Sequence, residues 1–145
     1  ESNIFILNKV QPKQLRDDFI EFEHSHSNTK SDVKYFSING GKSVSQVNSF
    51  IPSDVIDCET HQHLKHILTE DKAQSYSKPN LMIKNPNVIA SHGNSIGSYS
   101  DDEIFYLMQR GIALEHAKQI IQNGIINQAL ESHPDYELVK GYFNE

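Results

Sequence analysis

The chain's 145 residues are 37% hydrophobic and 22% charged, enough to bury one modest core and too few for a second full domain. The formal net charge of −6, without any Lys/Arg cluster, argues against a nucleic-acid footprint, and no run of about eighteen apolar residues or charged-then-apolar leader points to a membrane span or signal peptide. A single cysteine, Cys58, excludes an intrachain disulfide and a four-thiolate metal site within one chain, and it fits a reducing, cytoplasmic compartment.

From residue 3 to about 96 the chain is written in short apolar or alternating bursts, at 3–7, 19–22, 33–38, 44–50, 66–68, 81–83 and 88–90. These read as short strands. The polar stretches 24–31, 39–42 and 69–79, rich in Ser, Asn, Asp, Gly and Pro, read as turns. No helical pattern separates the bursts, so a doubly wound nucleotide fold is disfavoured and an all-β solenoid or sandwich remains. Strand spacing alone does not choose between those two. Glu1, standing where an initiator Met would be, reads as a fragment boundary.

The period changes near Ser100. Ser100 and Glu103 form a capping box, with Asp101 and Asp102 at the positive end of the helix dipole. Ile104, Phe105, Leu107 and Met108 supply an apolar face, Arg110 falls in the last turn, and Gly111 is placed to end the helix in a left-handed conformation. A second helix is expected from about 114 to 130, where Leu114, Ala117, Ile120, Ile121, Ile125 and Leu130 form a stripe of about 3.6-residue period. A third, capped by Ser132 and started by Pro134, would carry Leu138, Val139, Tyr142 and Phe143. The expected organisation is a β core over 1–97 and a helical subdomain over 98–145. The apolar helix faces around Phe105, Tyr106, Ile112, Ile120 and Ile121 are core by default.

Several residues carry potential chemistry. Of eight histidines, five fall in two groups, His24 with His26, and His61, His63 and His66. Alternate strand residues share a face, so either His-x-His pair could chelate Zn²⁺, Ni²⁺ or Fe²⁺ with a third ligand, or simply face solvent. The carboxylate neighbours of Cys58, Asp57 and Glu59, favour a packing role over a nucleophile. There is no Gly-x-Ser-x-Gly elbow to support a hydrolase. Gly40-Gly41-Lys42-Ser43 lacks the first glycine and the strand-to-helix context of a phosphate-binding loop.

The segment Lys78-Pro79-Asn80-Leu81-Met82-Ile83, then Asn87-Val88-Ile89-Ala90-Ser91-His92-Gly93-Asn94-Ser95-Ile96-Gly97, then Asp102-Glu103-Ile104-Phe105-Tyr106-Leu107 and Arg110-Gly111-Ile112 resembles the C-terminal signature of the SufB/SufD family. There the order is a Pro-x-Leu-x-Ile strand, a Ser-His-Gly loop, an acidic-to-Phe-Tyr-Leu helix and an Arg-Gly-Ile turn. Residues 26–35, Ile51-Pro52 and Ile67-Leu68-Thr69 match preceding turns more loosely.

The resemblance implies a right-handed parallel β-helix followed by a small C-terminal helical subdomain. It implies a scaffold role, not an enzyme, in a cytoplasmic iron–sulfur cluster assembly complex. Its partners would be a SufC-type ATPase, which would supply ATP hydrolysis, and a SufB/SufD-type protein or a second copy. No cofactor is expected to bind stably; iron or a transient cluster would pass through the subunit interface. His92 matches the family's Ser-His-Gly histidine, either as an iron ligand or as a residue hydrogen-bonded in a tight turn beside Gly93. His63 falls where SufB-type proteins carry a persulfide-accepting cysteine, and Gly93 where they carry a glutamate. Both departures make the chain SufD-like and leave His63 as an additional metal ligand at most, since an imidazole does not carry sulfane sulfur. Phe105, Tyr106, Arg110, Gly111 and Ile112 are the expected ATPase contacts. A second reading is a truncated β-solenoid interaction module without cluster chemistry.

Overall fold

A computed structural model describes residues 1–131. Seven strands precede two helices: β1 (Ser2–Val10), β2 (Leu15–Glu23), β3 (Lys30–Asn39), β4 (Lys42–Ile51), β5 (Cys58–Leu68), β6 (Gln74–Ile83), β7 (Val88–Ser98), α1 (Asp101–Gln109) and α2 (Leu114–Glu131). Odd strands form one sheet in the order β1-β3-β5-β7, and even strands form a second in the order β2-β4-β6. The pairs β1–β3, β3–β5, β2–β4 and β4–β6 are all parallel. Each coil thus lays one strand on each sheet. The result is a parallel β-solenoid of about three turns, which removes the sandwich alternative. Two compact units are distinguished, Glu1–Gly97 and a second beginning at Ser98. Among the described residues, no helix is long and apolar enough to cross a membrane.

Alternation along each strand decides what enters the solenoid. Val33, Tyr35, Val47 and Leu64 are buried together, with Ile4, Ile6, Ile20 and Phe22 packed against them. Ile51, Val55 and Cys58 form a second cluster against Val88. Much of the remaining interior is polar and paired across coils. Ser31 donates to Thr60, Thr60 to Ser49, and the Gln62 amide also reaches Ser49. Asn39 bonds Ser43 and Ser75.

This inward pairing of polar residues explains where the strands exceed their apolar bursts. β5 runs from Cys58 rather than from His66, β6 begins at Gln74 inside a stretch expected to turn, and the Ser91–Gly97 string, expected as a loop, continues β7 as strand to Ser98. In each case a neighbouring strand supplies a hydrogen-bond ladder that outweighs local turn preference. Gly41 marks the tightest corner. A Cβ there would lie 2.4 Å from the Gln14 carbonyl oxygen, so only glycine lets the successive coils approach.

In the second unit Ser100 caps α1, its hydroxyl accepting from the Glu103 N–H at 3.4 Å. The C-terminus is a Schellman turn: the Ile112 N–H bonds the Leu107 carbonyl, the Gly111 N–H bonds that of Met108, and Gly111 has φ +82°. Arg110 is the C-cap, one position beyond the helix rather than within its last turn. α1 buries no residue, and Phe105, Tyr106, Met108 and Ile120 are exposed. The default assignment of Phe105, Tyr106 and Ile120 to a core is therefore corrected, while Ile112 and Ile121 are half-buried; among the described residues of α2, Ala117, Ala129 and Leu130 are buried. The third helix expected from Pro134 lies outside the described residues.

Candidate functional site

The outward face of the four-stranded sheet carries a cluster of ionisable side chains. β3 and β5 pair Lys30 with Glu59, Asp32 with His61 and Lys34 with His63. Glu59 receives the Lys30 ammonium at 2.6 Å on one oxygen and lies 2.9 Å from His61 Nε2 on the other. These two contacts, Lys30 first, hold the Glu59 carboxyl below its usual range. The other nitrogen of His61 meets Ser91 Oγ of β7 at 2.6 Å. Both ring nitrogens of His61 are therefore committed, and a metal ion would have to displace Glu59 or Ser91.

His63, two residues along, shares this face and is exposed. A Cβ built on Gly93 would lie 3.5 Å from His63 Nδ1, so the two positions touch across β5 and β7. Because Gly93 has no side chain, a recess of about 400 Å³ opens there, with Phe36, His63, Lys65 and Gly93 among its lining residues. His92 precedes Gly93 in the same strand and so points to the opposite side of the sheet. Its companion Asn94 confirms that direction by donating to the Ser77 carbonyl of the other sheet at 3.2 Å. His63 and His92 are both exposed but face away from one another. Among the described residues, no group of three or more His, Cys, Asp or Glu side chains is placed to hold a metal ion.

His24, His66 and Cys58 are held in the interior. His24 is 4% exposed, with Nδ1 2.7 Å from Thr29 Oγ1 and Nε2 2.9 Å from Ser31 Oγ, and burial holds its pKa below the ordinary histidine value. His26 is exposed, its Nδ1 3.0 Å from Ser25 Oγ. His66 is fully buried against the Tyr35 ring, and desolvation pushes its pKa down to about 4. Cys58 is buried beside Thr29 Oγ1 at 3.4 Å. The relay from Glu59 through His61 to Ser91 is not visible in the sequence, since it depends on the register of strands thirty residues apart. The alternation of Glu59, His61 and His63 was the only signal for it.

On α1, Phe105 and Tyr106 are 62% and 54% exposed. The Arg110 guanidinium lies 3.7 Å from the Tyr106 ring centroid, a stacked cation–π pair. Gly111 is exposed and Ile112 half-buried in the turn that follows. The five expected contact residues thus lie together on one helix end. Beside them, Asp102, Glu103, Tyr106, Leu107 and Ile121 line a shallow groove of about 410 Å³.

These features define a class: a β-solenoid that presents rows of polar side chains on its sheets, followed by a helix pair with an exposed aromatic–arginine end. Comparison with known proteins places it within that class. The family model described as "SUF system FeS cluster assembly, SufBD core domain" matches residues 1–125. The chain belongs to the SufB/SufD family of the SUF system. An iron–sulfur cluster assembly SufBD family protein of Porphyra purpurea is 26% identical over 113 residues, covering 77% of this chain and 23% of that protein. A SufBD family protein of Mycobacterium tuberculosis (strain ATCC 25618 / H37Rv) is 25% identical over 118 residues, 74% of this chain and 30% of that one. The iron–sulfur cluster assembly protein SufD of Plasmodium berghei is 27% identical over 135 residues, 91% of this chain and 10% of that one. The chain therefore spans less than a third of the length of each of these relatives.

Proposed function

We propose that this chain acts as a SufD-like, non-catalytic scaffold in cytoplasmic iron–sulfur cluster assembly, pairing with a SufB-type protein and binding a SufC-type ATPase through its helices. The observation that carries the reading is the family match over residues 1–125. The exposed Phe105–Tyr106–Arg110 end of α1 supports the ATPase contact, because large aromatics and an arginine in the open are the residue types that anchor protein interfaces. Iron or a nascent cluster is cargo in this reading. Since His63 and His92 lie on opposite faces, each would contribute one nitrogen to a site completed by the partner subunit.

The test is co-purification of the full chain with a SufC-type ATPase. Arg110→Glu removes the stacked cation and reverses the charge, and binding is expected to weaken by about 2 kcal/mol or more. Folding stability should fall by only about 0.5–1 kcal/mol, the worth of an exposed cation–π pair. Unchanged ATPase binding by a folded Arg110→Glu protein would remove this turn from the interface. Binding of the ATPase by wild type, with no iron–sulfur assembly by the reconstituted complex, would favour the second reading of an interaction module without cluster chemistry.

A further inference from the structure

We propose that the polar end of the solenoid interior binds water, as a short file of ordered molecules bridging Asn8, Ser37 and His66. The three residues sit side by side on successive coils: Asn8 of β1 is in register with Ser37 of β3, and Ser37 with His66 of β5. All three point inward and are 8%, 1% and 0% exposed. Each carries one buried polar atom that no protein group bonds among the described residues: Asn8 Oδ1, Ser37 Oγ and His66 Nδ1.

The chemistry of those atoms is fixed by what their other atoms do. Asn8 Nδ2 donates to Tyr35 Oη at 2.8 Å and to Asp18 Oδ2 at 3.0 Å, so Oδ1 offers lone pairs only. Ser45 Oγ spends its single proton on Ser77 Oγ at 3.1 Å, and therefore accepts from His66 Nε2–H, also at 3.1 Å. That assigns the His66 tautomer and leaves Nδ1 as an acceptor. Ser37 stands between two acceptors with one proton to give.

Neighbouring strands lie about 4.8 Å apart, and although in-register hydroxyls elsewhere in the interior bond directly, as Ser31 does to Thr60 at 2.9 Å, no such bond joins Asn8, Ser37 and His66, which leaves these atoms to a bridging water. About two molecules close the hydrogen-bond count. One donates to Asn8 Oδ1 and to Ser37 Oγ; Ser37 donates to the other, which donates to His66 Nδ1. A cation does not fit. All three groups are neutral, and the nearest carboxylate, Asp18, is already paired with Arg16 at 2.7 Å. Burial without water would strand three acceptors in one row.

The two alternatives predict opposite signs for Ser37→Ala in the full chain. With the file present, the substitution breaks both bridges, orphans Asn8 and His66, and lowers the thermal midpoint. With a dry interior it removes an unpaired hydroxyl, and an unchanged or raised midpoint would overturn the proposal. Two readouts on the unsubstituted protein need no variant to fold. Nitrogen-15 spectra should show His66 as the Nε2–H tautomer, with Nδ1 shifted upfield of an unbonded pyridine-type nitrogen. Oxygen-17 relaxation dispersion should detect long-lived water. A free pyridine-type Nδ1 resonance or the absence of any long-lived water would refute the file.

Discussion

The solenoid and the helix pair hold themselves together in different ways. In the solenoid, fully buried Tyr35 of β3 and Val47 of β4 pack together with Leu64 of β5, and polar residues such as Ser31, Thr60 and Ser49 bond across coils. In the helical unit, α1 buries nothing and is defined by its own ends, the Ser100 cap and the Schellman turn at Gly111. Order in the first unit is therefore nonlocal, carried by register, whereas order at α1 is local, carried by capping. A change inside the solenoid should be felt along the whole stack. One at α1 should stay there.

The sharpest way to break that contrast is Leu64→Ala. Leu64 is 3% exposed within the central apolar cluster, and its truncation should cost about 2–5 kcal/mol in urea unfolding followed by β-sheet signal. A loss under about 1 kcal/mol would show that the central coil collapses around the gap and that stacking is looser than described. The next effect is on pH. The folded-state pKa of His66 is lowered to about 4 by burial, against an ordinary value of 6.5. The unfolded chain binds the proton more readily, so the stabilising preference for neutral His66 is complete above about pH 6.5 and is lost as pH falls from there towards 4. One such group contributes a slope of at most about 1.4 kcal/mol per pH unit. His24, lowered by the same cause, adds in the same direction. His66→Gln should flatten the slope, and an unchanged slope would assign it to other groups. The smallest effect belongs to the helix cap. Ser100→Ala should cost about 1 kcal/mol, read as a lower melting midpoint of the helical circular-dichroism signal, while the β-sheet transition stays within about 0.5 kcal/mol.

The same contrast explains what could be read from the sequence. The ends of α1 were legible because their determinants, Ser100, Glu103 and Gly111, are adjacent in the chain and have specific local chemistry. The boundaries of α2 followed from its apolar stripe. The strands were located by their apolar centres but not by their extents, since residues such as His61, Gln62 and Asn94 become strand only because another coil lies alongside. Solenoid could not be separated from sandwich for the same reason; the family resemblance supplied that distinction. Candidate histidines were visible as spacing alone. Their directions were not, so the opposition of His63 and His92, the contact between His63 and Gly93, and the tie from His61 to Ser91 appear only once β5 and β7 are side by side.

The corners of the solenoid differ in one respect that bears on how such a chain can change length. The four-stranded sheet keeps a constant phase, with Ser2, Ser31 and Thr60 in line. The three-stranded sheet aligns Leu15, Lys42 and Gln74, an uneven advance. The corners leading from odd to even strands, residues 11–14, 40–41 and 69–73, hold four, two and five residues, and those leading back, 24–29, 52–57 and 84–87, hold six, six and four. Strand lengths absorb the rest, β4 and β5 each being one residue longer than β2 and β3. Length thus enters at both edges of the coil while Ser2, Ser31 and Thr60 stay in step. For an engineer, residues 69–73, the longest of the odd-to-even corners, are a place to splice in a fluorophore or an affinity peptide.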